Sequence, residues 1–503
     1  MKKIISILLI ITIGFLMMAN NLSKPFYGHH DWNSVQYSNI ARNYLRYGYS
    51  KIKFGQITST GIQQLDQLHY STHYPPTLPL LISFSFKLLG INETSARLIP
   101  LIFSLGLLIL LFLISRKLKF SYMASLASTT VAFTPMLRYF AKMPVHEVLI
   151  VFFSTLSVYF YLRFIQSSSR NNLIKFLISA FLNGYISWPG YFLYPFLVIH
   201  AYIYHRKLYK KVAICLLALS LSFALHLFHI YILTGVLFGG NMIDSLLFRL
   251  NLSQAINPDK IDLVQFTWPK YFIQEIRWNI IYYTRIFIIA SIIFTFFSSF
   301  KIIKRQPLTR AESLIIALLF FPLSYILIFS NMVFIHDYFN IFFLPFFALS
   351  FAWLINKLNK FSFKLVLPVF IVLSFFIATE RLEFFQAHQN SNMHQTGYEL
   401  GKLINQIVPQ EESAAVFSIN YANHHSIFID FYADRNIYYT GYSQNQWDQF
   451  INDQLPQINH IFIVNTHKLD NQIVDKALAT RSASFKNYGQ FNYYLIDNNV
   501  NIR

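Results

Sequence analysis

The sequence predicts a mainly α-helical, polytopic membrane protein with about 11 transmembrane helices and a small C-terminal α/β domain. The 503 residues are 54% hydrophobic and 13% charged, and that charged fraction is about half of what a soluble protein carries. Apolar segments long enough to cross a bilayer recur up to about residue 380. Beyond this point the composition is polar enough for a soluble domain.

The apolar segments define the predicted organisation of the chain. We place spans at about residues 4–20, 95–115, 121–138, 147–164, 173–188, 190–205, 211–233, 280–299, 312–331, 338–356 and 364–380. Residues 77–89 are too short for a span and follow a Pro-Pro pair, so we expect an interfacial or re-entrant helix there. We therefore predict a transmembrane domain at 1–380, with large external loops at 21–94 and 234–279, and a soluble domain at 381–503.

The first apolar segment is predicted to be an uncleaved span rather than a signal peptide. Met17 occupies a position where signal cleavage requires a small residue.

The C-terminal domain shows strands that alternate with helices, which is typical of a small α/β layer. We expect helices at 394–408, 446–455 and 471–481, strands at 414–419, 460–465 and 491–497, and a strand-turn-strand at 430–439. Asp434 and Arg435, within that turn, are expected to be structural.

The positive charge is distributed unevenly across the predicted topology. The formal net charge is +19 at pH 7. Alternate connections, beginning with the N-terminus, hold 19 basic residues and one acid, Glu312, whereas the remaining segments hold 22 basic and 21 acidic residues. The positive-inside rule makes the first set cytoplasmic. We therefore expect a multi-pass protein of the cell membrane with a cytoplasmic N-terminus and an extracytoplasmic C-terminal domain, and we exclude nucleic acid as a partner.

Cys215 is the only cysteine and lies inside an apolar segment. A single cysteine excludes an intrachain disulfide and a site built from several thiolates. We interpret Cys215 as a buried, small apolar residue.

Asp31, in the first external loop, is the strongest candidate for a functional carboxylate. It is flanked by His29, His30 and Trp32 and precedes "VQYSNIARNYLRYGY". That pattern places apolar residues opposite arginines and is typical of a helix on a membrane surface. We expect His30 and Trp32 to line the acceptor site or a pocket beside Asp31.

Two purely structural roles for Asp31 stay open at the sequence level. External loops are where this chain keeps its acids, and Asp31 could be the N-cap of the following helix. Asn33 or Ser34 could cap that helix equally well, which leaves Asp31 without a necessary structural task. His73 and Tyr74, in "HYPPTLPLL", are further candidates for the pocket.

Several cations and rings are predicted at the same membrane face as Asp31. Arg97 opens the second span, Arg138 and Lys142 close the third, and His336 and Tyr338 lie at the outer end of the ninth and tenth spans. Any one long basic side chain at a helix end could simply extend to the interface. Together these five residues could bind a phosphate at headgroup depth.

A carboxylate facing cations at the lipid edge suggests sugar transfer from a polyprenyl phosphate. The departing phosphate ester already carries its negative charge stably, so no general acid is needed, unlike in two-carboxylate glycoside hydrolases. One base suffices to deprotonate the acceptor hydroxyl. The cations stabilise charge on the departing phosphate.

At these residues the chain also resembles the membrane glycosyltransferases with a GT-C fold, in particular the family 39 type that includes protein O-mannosyltransferases and the aminoarabinose transferase of lipid A. The shared features are "YSNIARN" after the loop acid, "YPP" before the short helix, "GINETSARLIP" from Gly90, "SWPGYFLYP" from Ser187 and "HDYFNIFFLPFFAL" from His336. The resemblance implies that Asp31 acts as base or orients the acceptor. It also implies that Arg97, His336 and Tyr338 lie beside the donor.

The resemblance has one departure. Many relatives have Asp-Glu at the loop, whereas Trp32 follows Asp31 here, which argues against a role that needs adjacent carboxylates. His29 and His30 could bind a metal instead, but adjacent histidines on an extended strand point in different directions. The "WWDYG" signature of N-linked oligosaccharyltransferases is absent from the sequence.

The sequence therefore predicts a glycosyltransferase that moves a sugar from a polyprenyl-phosphate donor to an acceptor hydroxyl on the extracytoplasmic face, in one inverting displacement with Asp31 as base. The acceptor is a protein, a lipid or a glycan, the enzyme is surrounded by membrane lipids, and we expect neither a cofactor nor a resident metal. The alternative is a lipid-linked-sugar flippase or transporter. A transporter would favour charges or broken helices at mid-bilayer, and the charges here lie at span ends.

Overall fold

The computed structural model describes residues 2–238, 242–250, 252, 266–359, 363–417, 422–440, 458–464 and 483–496. The chain forms two compact units. The helical unit comprises Met1–Leu22 and Ser71–Gln389, and the α/β unit comprises Ser23–Tyr70 and Asn390–Arg503. The sequence-based division at residue 380 kept the whole loop 21–94 with the membrane domain, whereas residues 23–70 belong to the α/β unit.

The helical unit is built from helices joined by short connections. They are α1 Lys2–Met18, α3 Thr77–Leu89, α4 Glu93–Lys117, α5 Tyr122–Ala127, α6 Pro135–Phe140, α7 His146–Ser167, α8 Arg170–Gly184, α9 Tyr194–Tyr204, α10 Tyr209–Thr234, α11 Met242–Arg249, α12 Trp268–Ile303, α13 Arg310–Ile328, α14 Ser330–Ile335, α15 Leu344–Leu358, α16 Phe363–Thr379 and α17 Leu382–Gln389; α2, Asp31–Tyr47, belongs to the other unit. The 3-10 turns Ser128–Phe133, Trp188–Tyr191 and Asp337–Phe343 interrupt or extend this series.

Six helical segments are long and apolar enough to cross a membrane, among the residues described. They are α4, α7, α10, α12, α13 and the continuous segment Asp337–Leu358, and each coincides with a predicted span. The other five predicted spans coincide with α1, α8, α9, α16 and the broken segment 121–140, whose helices have 17 residues or fewer. The short helix predicted at residues 77–89 is present with those bounds as α3.

Residues 121–140 differ from the single span that hydropathy predicts. The segment consists of α5, a 3-10 turn and α6. Thr134 is extended, with φ −72° and ψ 148°, because Pro135 disfavours the helical conformation in the residue before it. The proline then begins α6, where its missing N–H costs nothing.

The long helix α12 contains a break that the sequence does not indicate. Thr284 has φ 66° and ψ 159°, so two helices meet there. The N–H of Arg285 begins the second helix and donates to Oε2 of Glu380 at 3.0 Å. A carboxylate at this position interacts favourably with the positive, N-terminal end of the dipole of this second helix. The predicted span at 280–299 therefore corresponds to the part of α12 beyond Thr284.

The α/β unit combines α2 with helices and strands from the C-terminal segment. Its C-terminal elements are α18 Gln395–Ile407, β3 Ser413–Phe417, α19 Ala422–Ala433, β4 Asn436–Thr440, β5 His460–Val464, β6 Ala483–Tyr488 and β7 Phe491–Ile496, and short strands β1 Gln56–Ile57 and β2 Tyr70–Ser71 occur earlier in the chain. The five-stranded sheet has the order β4-β3-β5-β7-β6. β3 pairs in parallel with β4 and β5, and β7 is antiparallel to β5 and β6.

The sheet is mixed, and helix α19 lies between the parallel strands β3 and β4 in the chain. The central strand β5, "HIFIV", is buried at every position, as a continuous apolar strand should be when both faces are covered. The core beside it joins α18 and α19 to the sheet through Leu400, Ile429 and Phe462. This confirms the strands predicted near 414, 460 and 491 and the helix at 394–408.

One prediction for this domain is wrong. The strand-turn-strand expected at 430–439 is the end of α19 followed by β4. The apolar residues of "IFIDFYA" fit either period over so short a stretch. The helices predicted at 446–455 and 471–481 lie outside the described residues.

Helix α2 does not present its arginines as a membrane-surface helix would. Arg42 is 7% exposed, and Arg42 and Arg46 both form ion pairs with Asp434. Burial lowers the pKa of Arg42 to about 10, although Asp434 opposes this, and the side chain stays charged at neutral pH. Arg435 donates to the carbonyls of Val408 and Asn405 at 2.9 and 3.2 Å, in agreement with a structural role.

Candidate active site

Asp31 is the first residue of α2 and is only 7% exposed. Its Oδ2 accepts a hydrogen bond from the N–H of Gly28 at 2.8 Å, and its own N–H donates to the carbonyl of Gly28 at 3.2 Å. The N-cap position belongs to His30, whose side chain makes no capping bond. Asp31 is therefore not the N-cap, and its carboxylate fixes the turn that precedes the helix.

The residues around Asp31 form a partly exposed aromatic group. The rings of His29 and His30 meet edge to face at 4.4 Å, and Nδ1 of His29 lies 3.4 Å from Sδ of Met393. Trp32 is 46% exposed, so its ring is available to a ligand. Within the described part of the chain, no three His, Cys, Asp or Glu side chains are grouped to hold a metal ion.

Arg97 and Lys142 converge on the C-terminal end of α1. Nη1 of Arg97 donates to the carbonyls of Asn21 and Leu22 at 3.3 and 3.0 Å. Nζ of Lys142 lies 3.3 Å from the carbonyl of Met18. Both side chains are at least 95% buried. Lys142 satisfies a carbonyl that the end of α1 leaves open and lies at the negative end of the helix dipole. Arg97 binds the turn that follows the helix, so both contacts are structural as well as electrostatic.

Arg138 is adjacent to this group. Its carbonyl accepts a hydrogen bond from Lys142 at 3.3 Å, and its guanidinium donates to the carbonyl of Ala378 at 3.2 Å. The guanidinium also lies 4.1 Å from the centre of the Phe385 ring, at cation-π distance. The structure thus brings Arg97, Arg138 and Lys142 to one part of the helical unit.

His336 and Tyr338 lie at the start of the 3-10 turn before α15. Their rings stack with centroids 5.0 Å apart. Between them, Asp337 accepts a hydrogen bond from the hydroxyl of Tyr282 on α12. Tyr338 is 8% exposed, so this pair is held by packing as well as by the turn.

A cluster around Arg249 joins two predicted pocket residues to a cation that the sequence did not reveal. Nη2 of Arg249, at the end of α11, donates to Nε2 of His73 at 2.7 Å and to the hydroxyl of Tyr74 at 2.8 Å. Electrostatic interactions link the same guanidinium to Tyr325 and Tyr338. His73, Tyr74 and Tyr338 are therefore gathered around one buried positive charge.

The electrostatics of this cluster keep the charge on the arginine. Burial, followed by the charge of Arg249, lowers the pKa of His73 to about 3, so His73 is neutral and accepts through Nε2. Burial lowers the pKa of Arg249, but Tyr74 and Tyr325 outweigh it and raise the pKa above its ordinary value. Arg249 is 5% exposed. Among the described residues, none forms an ion pair with it within 4.0 Å.

Burial without an ion pair in the described part of the chain makes Arg249 suited to an incoming anion, although the carboxyl of Glu147 interacts with it electrostatically from a greater distance. An unpaired buried charge is costly, and an anion that reaches it forms charge-assisted hydrogen bonds. The sequence carried a weak signal for this residue, since "SLLFRL" places one arginine in an apolar stretch of the external region 234–279. Nothing in the sequence spacing around "SLLFRL" indicates that Arg249 would contact His73.

Comparison with known proteins adds a family-model match over part of the chain and a shared fold. Residues 8–240 match the family model of dolichyl-phosphate-mannose-protein mannosyltransferases. No curated protein matches the chain.

Two solved structures share the architecture. ArnT from Cupriavidus metallidurans, bound to undecaprenyl phosphate, has 11% identity and a TM-score of 0.58 over 98% of each chain. The apo oligosaccharyltransferase of Archaeoglobus fulgidus has 13% identity and a TM-score of 0.57 over 95% of this chain and 73% of that one. Residues 8–240 are thus similar to that family, and the chain as a whole has the GT-C fold of these membrane glycosyltransferases.

Proposed function

We propose that the protein transfers a sugar from a polyprenyl-phosphate donor to an acceptor hydroxyl on the extracytoplasmic face of the cell membrane. Asp31 removes the proton of the acceptor hydroxyl as its oxygen attacks the anomeric carbon. The bond from that carbon to the phosphate oxygen breaks, and polyprenyl phosphate leaves with the electron pair. One such displacement inverts the anomeric configuration.

The buried guanidinium of Arg249 is the observation that carries this proposal. The leaving phosphate needs a fixed positive charge at its oxygens as the glycosidic bond breaks. Arg249 supplies that charge, and the hydroxyl of Tyr74, 2.8 Å from Nη2, holds the guanidinium in place. Arg97, Arg138, Lys142, His336 and Tyr338 are the further donor-phosphate residues proposed from the sequence.

The comparisons support a lipid-linked donor. The matched family is named for dolichyl-phosphate-mannose, and one structural neighbour is bound to undecaprenyl phosphate. A second, the oligosaccharyltransferase of Archaeoglobus fulgidus, is tethered to an acceptor peptide. For this protein we propose a polyprenyl-phosphate sugar as donor and a protein, lipid or glycan as acceptor, with His30, Trp32, His73 and Tyr74 as acceptor or pocket residues and no cofactor.

The decisive experiment incubates the purified protein with a panel of radiolabelled polyprenyl-phosphate sugars and with peptide, lipid and glycan acceptors. We expect one donor to lose its sugar to one acceptor. Asp31→Asn should lower this rate by roughly 10²- to 10⁴-fold, the usual contribution of a general base. Asp66→Asn, an exposed acid in the same external loop, is the matched control and should retain full activity.

The same assay separates the enzyme from the alternative. A flippase or transporter would move a labelled lipid-linked sugar across a vesicle membrane and leave the sugar attached. Full activity of Asp31→Asn would remove Asp31 from the mechanism while leaving the transferase activity established.

A further inference from the structure

The segment that directly precedes Asp31 is bound by the C-terminal part of the chain. We call residues 24–30 the Asp31 loop. Both this loop and the residues that bind it belong to the α/β unit, although more than 360 residues separate them along the chain. The loop has no regular secondary structure of its own between Lys24 and Gly28, so its conformation depends on what it contacts.

Besides the contact of His29 with Met393, hydrogen bonds at Lys24, Phe26 and Tyr27 fix the loop to the C-terminal segment. Nζ of Lys24 donates to the carbonyl of Ser391 at 2.7 Å. The N–H of Phe26 donates to the hydroxyl of Tyr432 at 2.6 Å. The carbonyl of Tyr27 accepts from the N–H of His394 at 2.9 Å.

Aromatic contacts to the same C-terminal segment reinforce these bonds. The ring of Phe26 is fully buried and lies 5.8 Å from that of Phe431. The ring of Tyr27 lies 5.7 Å from that of Tyr398. A segment pinned at successive residues by both backbone bonds and rings has few conformations left.

Tyr432 is itself fixed by its neighbours. It lies on α19, and its ring meets those of Tyr398 and Phe431 edge to face at 4.6 and 5.0 Å. A Cβ at Gly401 of α18 would lie 2.8 Å from Cβ of Tyr432, so the glycine is what allows α18 and α19 to approach here. The hydroxyl therefore has a defined position from which to hold the Phe26 N–H.

A short stretch of backbone connects Phe26 to the residue that donates a hydrogen bond to Asp31. Phe26 is two residues before Gly28, whose N–H donates to the Asp31 carboxylate. A Cβ at Gly28 would lie 3.0 Å from Oδ2 of Asp31, so loop and carboxylate are in close contact. Displacement of the loop at Phe26 would thus move the donor that orients Asp31.

We propose that Tyr432 is a positioning residue for Asp31. The C-terminal segment contributes to the active site by holding, through Tyr432, the loop that orients the Asp31 carboxylate. This rests on the proposed role of Asp31 as the base. The alternative is that the loop contacts contribute only to folding. A positioning role predicts a selective loss of kcat, because misplacing a catalytic group by about 1 Å can cost about 10²-fold without changing substrate binding.

The test compares Tyr432→Phe with Tyr47→Phe, measured as kcat and KM for donor and acceptor. Tyr47 is the matched control, because its hydroxyl also accepts a backbone N–H, that of Gln63 at 3.0 Å, in the same unit and away from the loop. We expect Tyr432→Phe to lower kcat on the order of 10-fold with both KM values unchanged, and Tyr47→Phe to match the wild type.

Lys24→Met provides a second variant at a half-buried side chain, so that the inference does not depend on the folding of one mutant. We expect a smaller loss of kcat in the same direction, and faster hydrogen exchange of the Phe26 amide in Tyr432→Phe. Wild-type kcat in both loop variants would overturn the inference, as would equal losses in Tyr432→Phe and Tyr47→Phe. A wild-type protein that transfers no sugar from any donor would instead overturn the proposed function itself.

Discussion

The buried cations of this protein differ in the groups that accept their hydrogen bonds. Arg97 and Lys142 bond to backbone carbonyls around the end of α1, which are fixed acceptors. Arg249 bonds to the side chains of His73 and Tyr74, which are neutral. Burial and positive charge alone do not distinguish these cases, and the identity of the partner does.

This difference predicts that two arginine variants will affect the donor KM to different degrees. Arg249→Met should raise the donor KM roughly 10- to 100-fold, because a hydrogen bond to a charged group contributes about 1.5–3 kcal/mol. Arg97→Met should lower the thermal unfolding midpoint, because it uncovers the carbonyls of Asn21 and Leu22, and should raise the donor KM less than Arg249→Met does.

The comparison needs steady-state kinetics with the active donor and a thermal melt of each variant. Arg206→Met, at an exposed arginine, controls for the loss of one positive charge. An equal rise in the donor KM for Arg97→Met would support the donor-phosphate role that the sequence predicts for Arg97.

At the scale of helices and strands, hydropathy predicts where the apolar helical segments lie but not where those helices break. The short helix at 77–89 was predictable because the apolar segment is too short for a span and follows a Pro-Pro pair. The break at Thr284 has no such signal, since a β-branched residue with positive φ is an outlier that tertiary packing must impose. Pro135 was visible, but an average over a window does not show where a helix stops.

A hydrogen bond to the buried carboxyl of Asp430 joins α19 to β4 and predicts a pH-dependent stability. The hydroxyl of Tyr439 on β4 donates to Oδ1 of Asp430 on α19 at 2.6 Å. Burial raises the pKa of Asp430 to about 7, although the Tyr439 bond and Arg42 oppose it. The folded state therefore holds a proton that the unfolded chain releases near pH 4.

A folded-state pKa above the unfolded value makes stability fall as pH rises. We predict that the contribution of Asp430 is complete below about pH 4 and is lost as pH rises through about 7. In thermal melts between pH 5 and 8, Asp430→Asn should flatten this decline, whereas Glu411→Gln, at an exposed acid, should leave it intact. A decline of the same steepness in Asp430→Asn would assign the pH dependence to another group.

At the scale of the molecule, the α/β unit is assembled from two distant stretches of chain, 23–70 and 390–503. The ion pairs of Arg42 and Arg46 with Asp434 join these stretches. Periodicity reports only local structure, so the sequence predicted the C-terminal sheet but could not show that the Asp31 loop belongs with it. For the same reason it placed His73 and Tyr74 in a pocket yet missed Arg249.

Charge distribution, in contrast, is a global property that one sequence does contain, and it predicts orientation in the membrane. The connections predicted to be cytoplasmic hold 19 basic residues against one acid, which the positive-inside rule places in the cytoplasm. The turn between α7 and α8 belongs to this set, and the first external loop belongs to the opposite one.

Introduced cysteines can test this orientation, because the native Cys215 is buried and gives little background. Ser50→Cys, exposed in the first external loop, should react with a membrane-impermeant maleimide in intact cells. Ser168→Cys, exposed in the turn between α7 and α8, should react only after the membrane is opened. The reverse pattern would place Asp31 in the cytoplasm, where the acceptor would have to be a cytoplasmic molecule.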